Sequence, residues 1–172
     1  MALSINRITN ANLYSDDLNH FGQAEEINLP KLMQVMVEHK ALGMKGKIEL
    51  PAGFDKMELS IKWNSFYADT FKKYANPFKS IKIQVRSSVE IYEGGDKVDE
   101  KALVVYATVQ SKGFPLGNFK AQDNVEMESE LACTQVKMEY DGKPVMEFDA
   151  MANILLIDGV DQFAAYRSNL GI

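Results

Sequence analysis

Apolar and polar positions alternate along much of the chain. Between residues 56 and 63, Met57, Leu59, Ile61 and Trp63 alternate with Lys56, Glu58, Ser60 and Lys62. Between 81 and 92, the odd positions carry Ile81, Ile83, Val85, Ser87, Val89 and Ile91, and the even ones Lys82, Gln84, Arg86, Ser88, Glu90 and Tyr92. Successive side chains of a strand point to opposite faces, so both segments predict half-buried strands of an antiparallel sheet. The second is long, about 35 Å or more at the rise of an extended chain.

Glu93-Gly94-Gly95-Asp96-Lys97 then reverses the chain into a further β-rich run over 101–112, which predicts a long hairpin. Asp141-Gly142 marks a second hairpin between 134–140 and 143–149, because this pair accepts the positive φ angles of a two-residue turn. Residues 32–38 and 47–50 are further strand candidates, the latter ended by Pro51-Ala52-Gly53. Helical spacing is confined to two places. Phe66, Tyr67, Phe71, Tyr74 and Ala75 follow Asn64-Ser65 as cap and stop at Asn76-Pro77. A short C-terminal helix is expected from Asp161 as cap to about Leu170, with Gly171 just beyond. The expected fold is mainly β, an antiparallel barrel or sandwich with one flanking α-helix and a short C-terminal helix. With no internal repeat and no linker-like run, residues 1–172 read as one domain.

Composition agrees with a globular chain, at 46% apolar and 25% charged residues. The formal net charge of −5 argues against a surface that grips phosphates, which needs clustered Lys and Arg. It is compatible with letting nucleic acid slide past. A single cysteine, Cys133, rules out an intrachain disulfide. The N-terminus lacks the apolar run of a signal peptide, and the apolar stretch around 102–109 falls short of the roughly 18–20 residues that span a bilayer. Synthesis and folding in a reducing cytoplasm is the expectation.

Chemistry is sparse. There is no GxSxG, phosphate-binding glycine loop, HExxH or CxxC. His20 and His39 have no ligand-like spacing to other donors, so no metal or cofactor is expected, and both read as surface or hydrogen-bonding residues. Cys133, within Leu131-Ala132-Cys133-Thr134, reads as a small buried apolar residue without an activating base. Glu147 and Asp149 share a strand face, a coincidence expected among 24 acidic residues. No catalytic site is expected. Glu126, Glu128 and Glu130 stand out more: they fall on one strand face opposite Val125, Met127 and Leu131. Such a face is either solvated or set to repel a polyanion.

Two segments carry a family likeness. The first is Asn12-Leu13-Tyr14-Ser15-Asp16-Asp17-Leu18-Asn19-His20-Phe21-Gly22, followed by Ile27-Asn28-Leu29-Pro30-Lys31-Leu32 and Gly43-Met44-Lys45-Gly46. The second has Cys133-Thr134, Lys137-Met138, Asp141-Gly142-Lys143, Glu147-Phe148-Asp149 and Asn153, then Asp158-Gly159-Val160-Asp161-Gln162-Phe163 and Arg167 through Asn169-Leu170-Gly171-Ile172. In this order and at both ends they resemble the major tail tube proteins of contractile-tailed bacteriophages and R-type pyocins. Residues 63–125 carry no motif of that family.

The resemblance implies a β-barrel subunit with a flanking helix, assembled as hexameric rings that stack into a hollow tube. It also implies a tail sheath protein around the tube, a tape-measure protein inside, a baseplate hub and a tail terminator, in a virion tail or tailocin particle. On that frame Glu126, Glu128 and Glu130 are assigned to the lumen, past which DNA moves without specific binding. Residues 41–51, with Gly43, Met44, Lys45 and Gly46, are assigned to contact with the next ring. Two alternatives remain open at this level: the tube protein of a type VI-like secretion or injection machine, and a monomeric ligand-binding barrel.

Overall fold

A computed structural model of the chain describes residues 3–16 and 18–172; Met1, Ala2 and Asp17, the last of which belongs to the first motif, lie outside the described residues. The elements in chain order are β1 (Ser4–Ser15), β2 (Leu18–Asn19), β3 (Ala24–Asn28), β4 (Gln34–His39), β5 (Ile48–Phe54), β6 (Met57–Trp63), α1 (Ala68–Tyr74), β7 (Ser80–Glu93), β8 (Asp96–Gly113), β9 (Met127–Tyr140), β10 (Lys143–Asp149), β11 (Ile154–Ile157), β12 (Val160–Asp161) and α2 (Ala164–Leu170). The fold is mainly β, and the paired strands are antiparallel, as the alternation predicts.

One sheet runs in the order β12-β11-β10-β9-β8-β7-β1-β2 and forks at β9. The first half of β9 pairs with β6, from Trp63 opposite Met127 to Met57 opposite Cys133. The second half pairs with β10, from Gln135 opposite Asp149 to Tyr140 opposite Lys143. A bulge separates the halves: Cys133 faces Val109 and Gln135 faces Thr108, which leaves Thr134 as an extra residue. A bulge bends and twists its strand, and here it lets one strand serve two neighbours. It also changes the phase of burial, from Met127, Ser129, Leu131 and Cys133 to Val136.

The sheet folds over a single core. Leu59, Ile61 and Trp63 of β6 meet Ile81, Ile83 and Val85 of β7, Val105 and Val109 of β8, Leu131 of β9 and Leu13 of β1. Each such side chain contributes about 1.5–3 kcal/mol by leaving water. No ladder joins β3 directly to β1 among the described residues. The segment between them spans the gap, with the His20 amide donating to the Leu13 carbonyl and the Asn64 amide to that of Gln23.

Several local details depart from the sequence expectations. Helix α1 begins at Ala68, and Asn64-Ser65 does not cap it. The Asn64 side chain is otherwise engaged: its amide donates to the Gly22 carbonyl at 2.7 Å and its oxygen accepts from the Tyr67 hydroxyl at 2.6 Å. Thr70 and Tyr74, four residues apart, turn inward. Helix α2 begins at Ala164, because Asp161 is held in the last ladder opposite Leu156. Asp161 still accepts from the Phe163 amide at 2.9 Å and pairs with Arg167, and Gly171 closes the helix at φ 72°.

β8 starts at Asp96, five residues before the expected run, because the reversal at Gly94-Gly95 is tight and pairing resumes at once. β5 does not stop at Pro51; it runs through Pro51-Ala52-Gly53 to Phe54. Proline is confined to edge strands and bulges, and β5 offers both, since it pairs with β4 alone and the register slips between Gln34 and Met36.

Candidate functional site

The least protein-like part of the fold is the β4–β5 ribbon. Its two strands pair from His39 opposite Ile48 to Gln34 opposite Phe54, and every residue from Met33 to Gly53 is exposed. Val35, Met36, Val37, Ile48 and Leu50 are apolar, so both faces present hydrophobic side chains to solvent. At its base Phe54 packs on Phe148 and Phe163, with ring centroids 5.1 and 5.9 Å apart. At its tip Leu42 is fully exposed. An isolated two-stranded hairpin is marginally stable in water, so surface of this kind points to a partner.

Gly43, Met44, Lys45 and Gly46 lie together in this tip, with Gly43 at φ 86°. Loop 40–47 has three lysines and no carboxylate. Lys47 pairs with Glu38 at 2.9 Å, whereas Lys40 and Lys45 have no ion pair among the described residues. Strands over 32–38 and 47–50 and a contact segment over 41–51 are expected from the sequence, but the apolar side chains of β4 are not singled out there. The run Val35-Met36-Val37, apolar on both faces of a short strand, was the available signal.

Glu128 and Glu130 project outward from β9 while Met127, Ser129 and Leu131 point into the core. Glu126 lies just before the strand, where it bridges to Asn118. The three line a shallow groove of about 610 Å³ with Lys62, Phe114 and Pro115. Glu128 stands opposite Lys62, which pairs with Glu25 at 3.3 Å. Further along the same strand pair, Glu58 is held down to about 2 by Lys112 and Lys56. The outward face of β6 and β9 is therefore acidic but partly compensated.

Buried polar chemistry centres on His20, which is 2% exposed. Its Nε2 meets the Ser15 hydroxyl at 2.5 Å and its Nδ1 the Gln23 side-chain oxygen at 3.0 Å. The ring lies edge-on to Trp63 and Tyr74. Burial holds the imidazole below its ordinary pKa; acceptance by Gln23 opposes this and the Lys73 charge adds to it. Ser15 is itself fully buried, so this trio braces β1 against α1. His39, by contrast, is exposed on the ribbon. Burial pushes the Cys133 thiol up to about 11, which keeps it protonated and unreactive at neutral pH. Glu147 and Asp149 share a face of β10, with Glu147 accepting from Gln135 at 3.4 Å. No group of three or more metal-ligating side chains forms among the described residues.

The family model described as phage tail tube protein FII matches residues 5–171. The tail tube protein of Escherichia phage P2 is 26% identical over 165 residues, covering 94% of each chain. Among solved structures, a chain of the PVC sheath–tube complex of an extracellular contractile injection system superposes with TM-score 0.55 at 9% identity, covering 75% of this chain and 87% of that one. A chain of the PVC sheath/tube terminator gives TM-score 0.54 at 11% identity, covering 75% and 92%. At these identities the structural likeness is one of fold. The family match spans almost all residues and agrees with the motifs at both ends: the chain belongs to the phage tail tube protein FII family.

Proposed function

We propose that residues 1–172 act as one structural unit, a subunit of the inner tube of a contractile tail, assembling as hexameric rings that stack into a conduit. The ribbon supports this most directly: it is apolar on both faces and uncovered, and it completes its burial when a neighbouring copy packs on it. The tip with Gly43, Met44, Lys45 and Gly46 contacts the next ring. Glu126, Glu128 and Glu130 face the lumen, where carboxylates offer no phosphate contacts to hold passing DNA. A sheath protein outside, a tape-measure protein within, a baseplate hub and a terminator complete a tail assembled in the host cytoplasm.

Electron microscopy of the purified protein tests the reading. Rings or tubes are expected, and particles that stay monomeric at high concentration would overturn it. Deletion within residues 41–51 should abolish polymerisation while leaving a folded monomer; intact polymerisation would refute the stacking role. The fold also occurs in an extracellular injection system, and neighbouring genes for capsid proteins would mark a phage tail rather than an injection machine.

A further inference from the structure

Two parts of the chain extend past its core, and they carry opposite charge. The first is the ribbon tip, with Leu42 and Met44 exposed between Lys40 and Lys45. The second arises because β7 and β8 outrun β9. The β8–β9 ladder ends with Leu103 opposite Tyr140 and the Asp141 amide donates to the Ala102 carbonyl, so residues 96–101 of β8 are laddered with β7 alone. β1 adds a third strand, with Ser4 to Ile8 opposite Glu93 to Val89, before a bulge at residues 9–10. The result is a three-stranded tab that projects past β9, with Val89 buried in its central strand and its outer strands largely exposed.

Ile5, Ile8 and Val98 are exposed on the tab. Its carboxylates outnumber its cations. Lys97 ties down Glu90 at 3.0 Å and Glu100 at 2.9 Å. Glu93, Asp96 and Asp99 have no cation within ion-pair distance among the described residues. An apolar surface edged by unpaired carboxylates complements an apolar tip edged by unpaired lysines.

We propose that the ribbon tip of one copy seats on the acidic tab of a second copy, with Leu42 and Met44 against Val98 and Ile8, and Lys40 and Lys45 facing Glu93, Asp96 and Asp99, which share the face of Ile8. The contact joins two different surfaces, so it is head-to-tail and repeats from copy to copy. It rests on the tube reading and names the surface that receives the tip.

A charge-swap set tests it by sedimentation and electron microscopy. Lys40→Glu with Lys45→Glu should raise the protein concentration needed for assembly at least tenfold, and Asp96→Lys with Asp99→Lys should do the same. Combining all four should restore assembly to within a few-fold of the parent. If the combined variant assembles no better than either pair, or if the pairs assemble normally, the seat is wrong while the tube reading stands. A parent protein that forms no assembly overturns both.

Zero-length carbodiimide coupling of mixed light and heavy-isotope protein gives a readout independent of variant folding. Links between copies from Lys40 or Lys45 to Glu93, Asp96 or Asp99 are expected. Intermolecular links from those lysines to other carboxylates alone would refute the proposal.

Discussion

At the residue scale the most consequential polar group is His20, whose protonation the core resists. In the unfolded chain an imidazole titrates near its ordinary value of about 6.5. Below that pH the unfolded chain takes up a proton that the folded one refuses, so the stabilisation is complete above about 6.5 and declines as pH falls. The urea midpoint should therefore be lower at pH 5.5 than at pH 7.5, and His20→Gln should flatten the difference. Asp16 and Asp161, held below their usual range, stay ionised across this window and do not confound it. An unchanged midpoint in the parent protein would contradict a neutral buried imidazole. The Trp63 indole N–H makes a second residue-scale case, since it donates to the fully buried Ser129 hydroxyl at 2.9 Å. Trp63→Phe removes the donor and leaves that hydroxyl without it, at a cost of about 1–3 kcal/mol. Denaturant unfolding should record the loss, and Trp63→Phe with Ser129→Ala should recover part of it.

At the element scale the turns carry the register. Asp141 at φ 51° and Gly142 at φ 73° place both central residues of the β9–β10 turn in the left-handed region. Aspartate tolerates that conformation, but a β-branched residue does not. Gly142→Val should cost about 1–2 kcal/mol, visible as a lower melting midpoint, whereas Lys143→Val beside it should change little. This hairpin, β6 and β7 were legible in the sequence because period-two alternation and turn chemistry are local. What escaped were features set by tertiary partners. Asn64 has the chemistry of a cap, yet its side chain bonds Gly22, more than forty residues earlier. Pro51 reads as a strand end, yet an edge ribbon admits it. The Thr134 bulge has no sequence signature, although it decides which neighbours β9 can have. Glu128 and Glu130 share one outward strand face as the alternation predicts, Glu126 falls just before the strand, and Lys62, which stands opposite Glu128, comes from a segment some sixty residues away.

At the scale of the whole molecule the question is where an acidic subunit puts its charge when copies assemble. A conduit wall lined by carboxylates repels phosphates, and a wall lined by lysines would exchange counterions for them and hold nucleic acid. Replacing Glu126, Glu128 and Glu130 by lysine changes the charge by two at each site and takes the formal net charge from −5 to +1. None of the three is in the core, since Glu126 precedes β9 and Glu128 and Glu130 point to solvent. The triple variant should therefore fold, with a circular dichroism spectrum like the parent's. If these residues face the lumen, tubes of the variant purified from cells should retain nuclease-protected nucleic acid, and their absorbance ratio at 260 to 280 nm should rise. Protection from nuclease is the discriminating part, because lysines on the outer wall would bind nucleic acid that remains digestible. Parent tubes should come out free of it under the same conditions. Variant tubes as clean as the parent's would move the three glutamates off the conduit wall, and the partial compensation by Lys62 would then describe an ordinary solvated face.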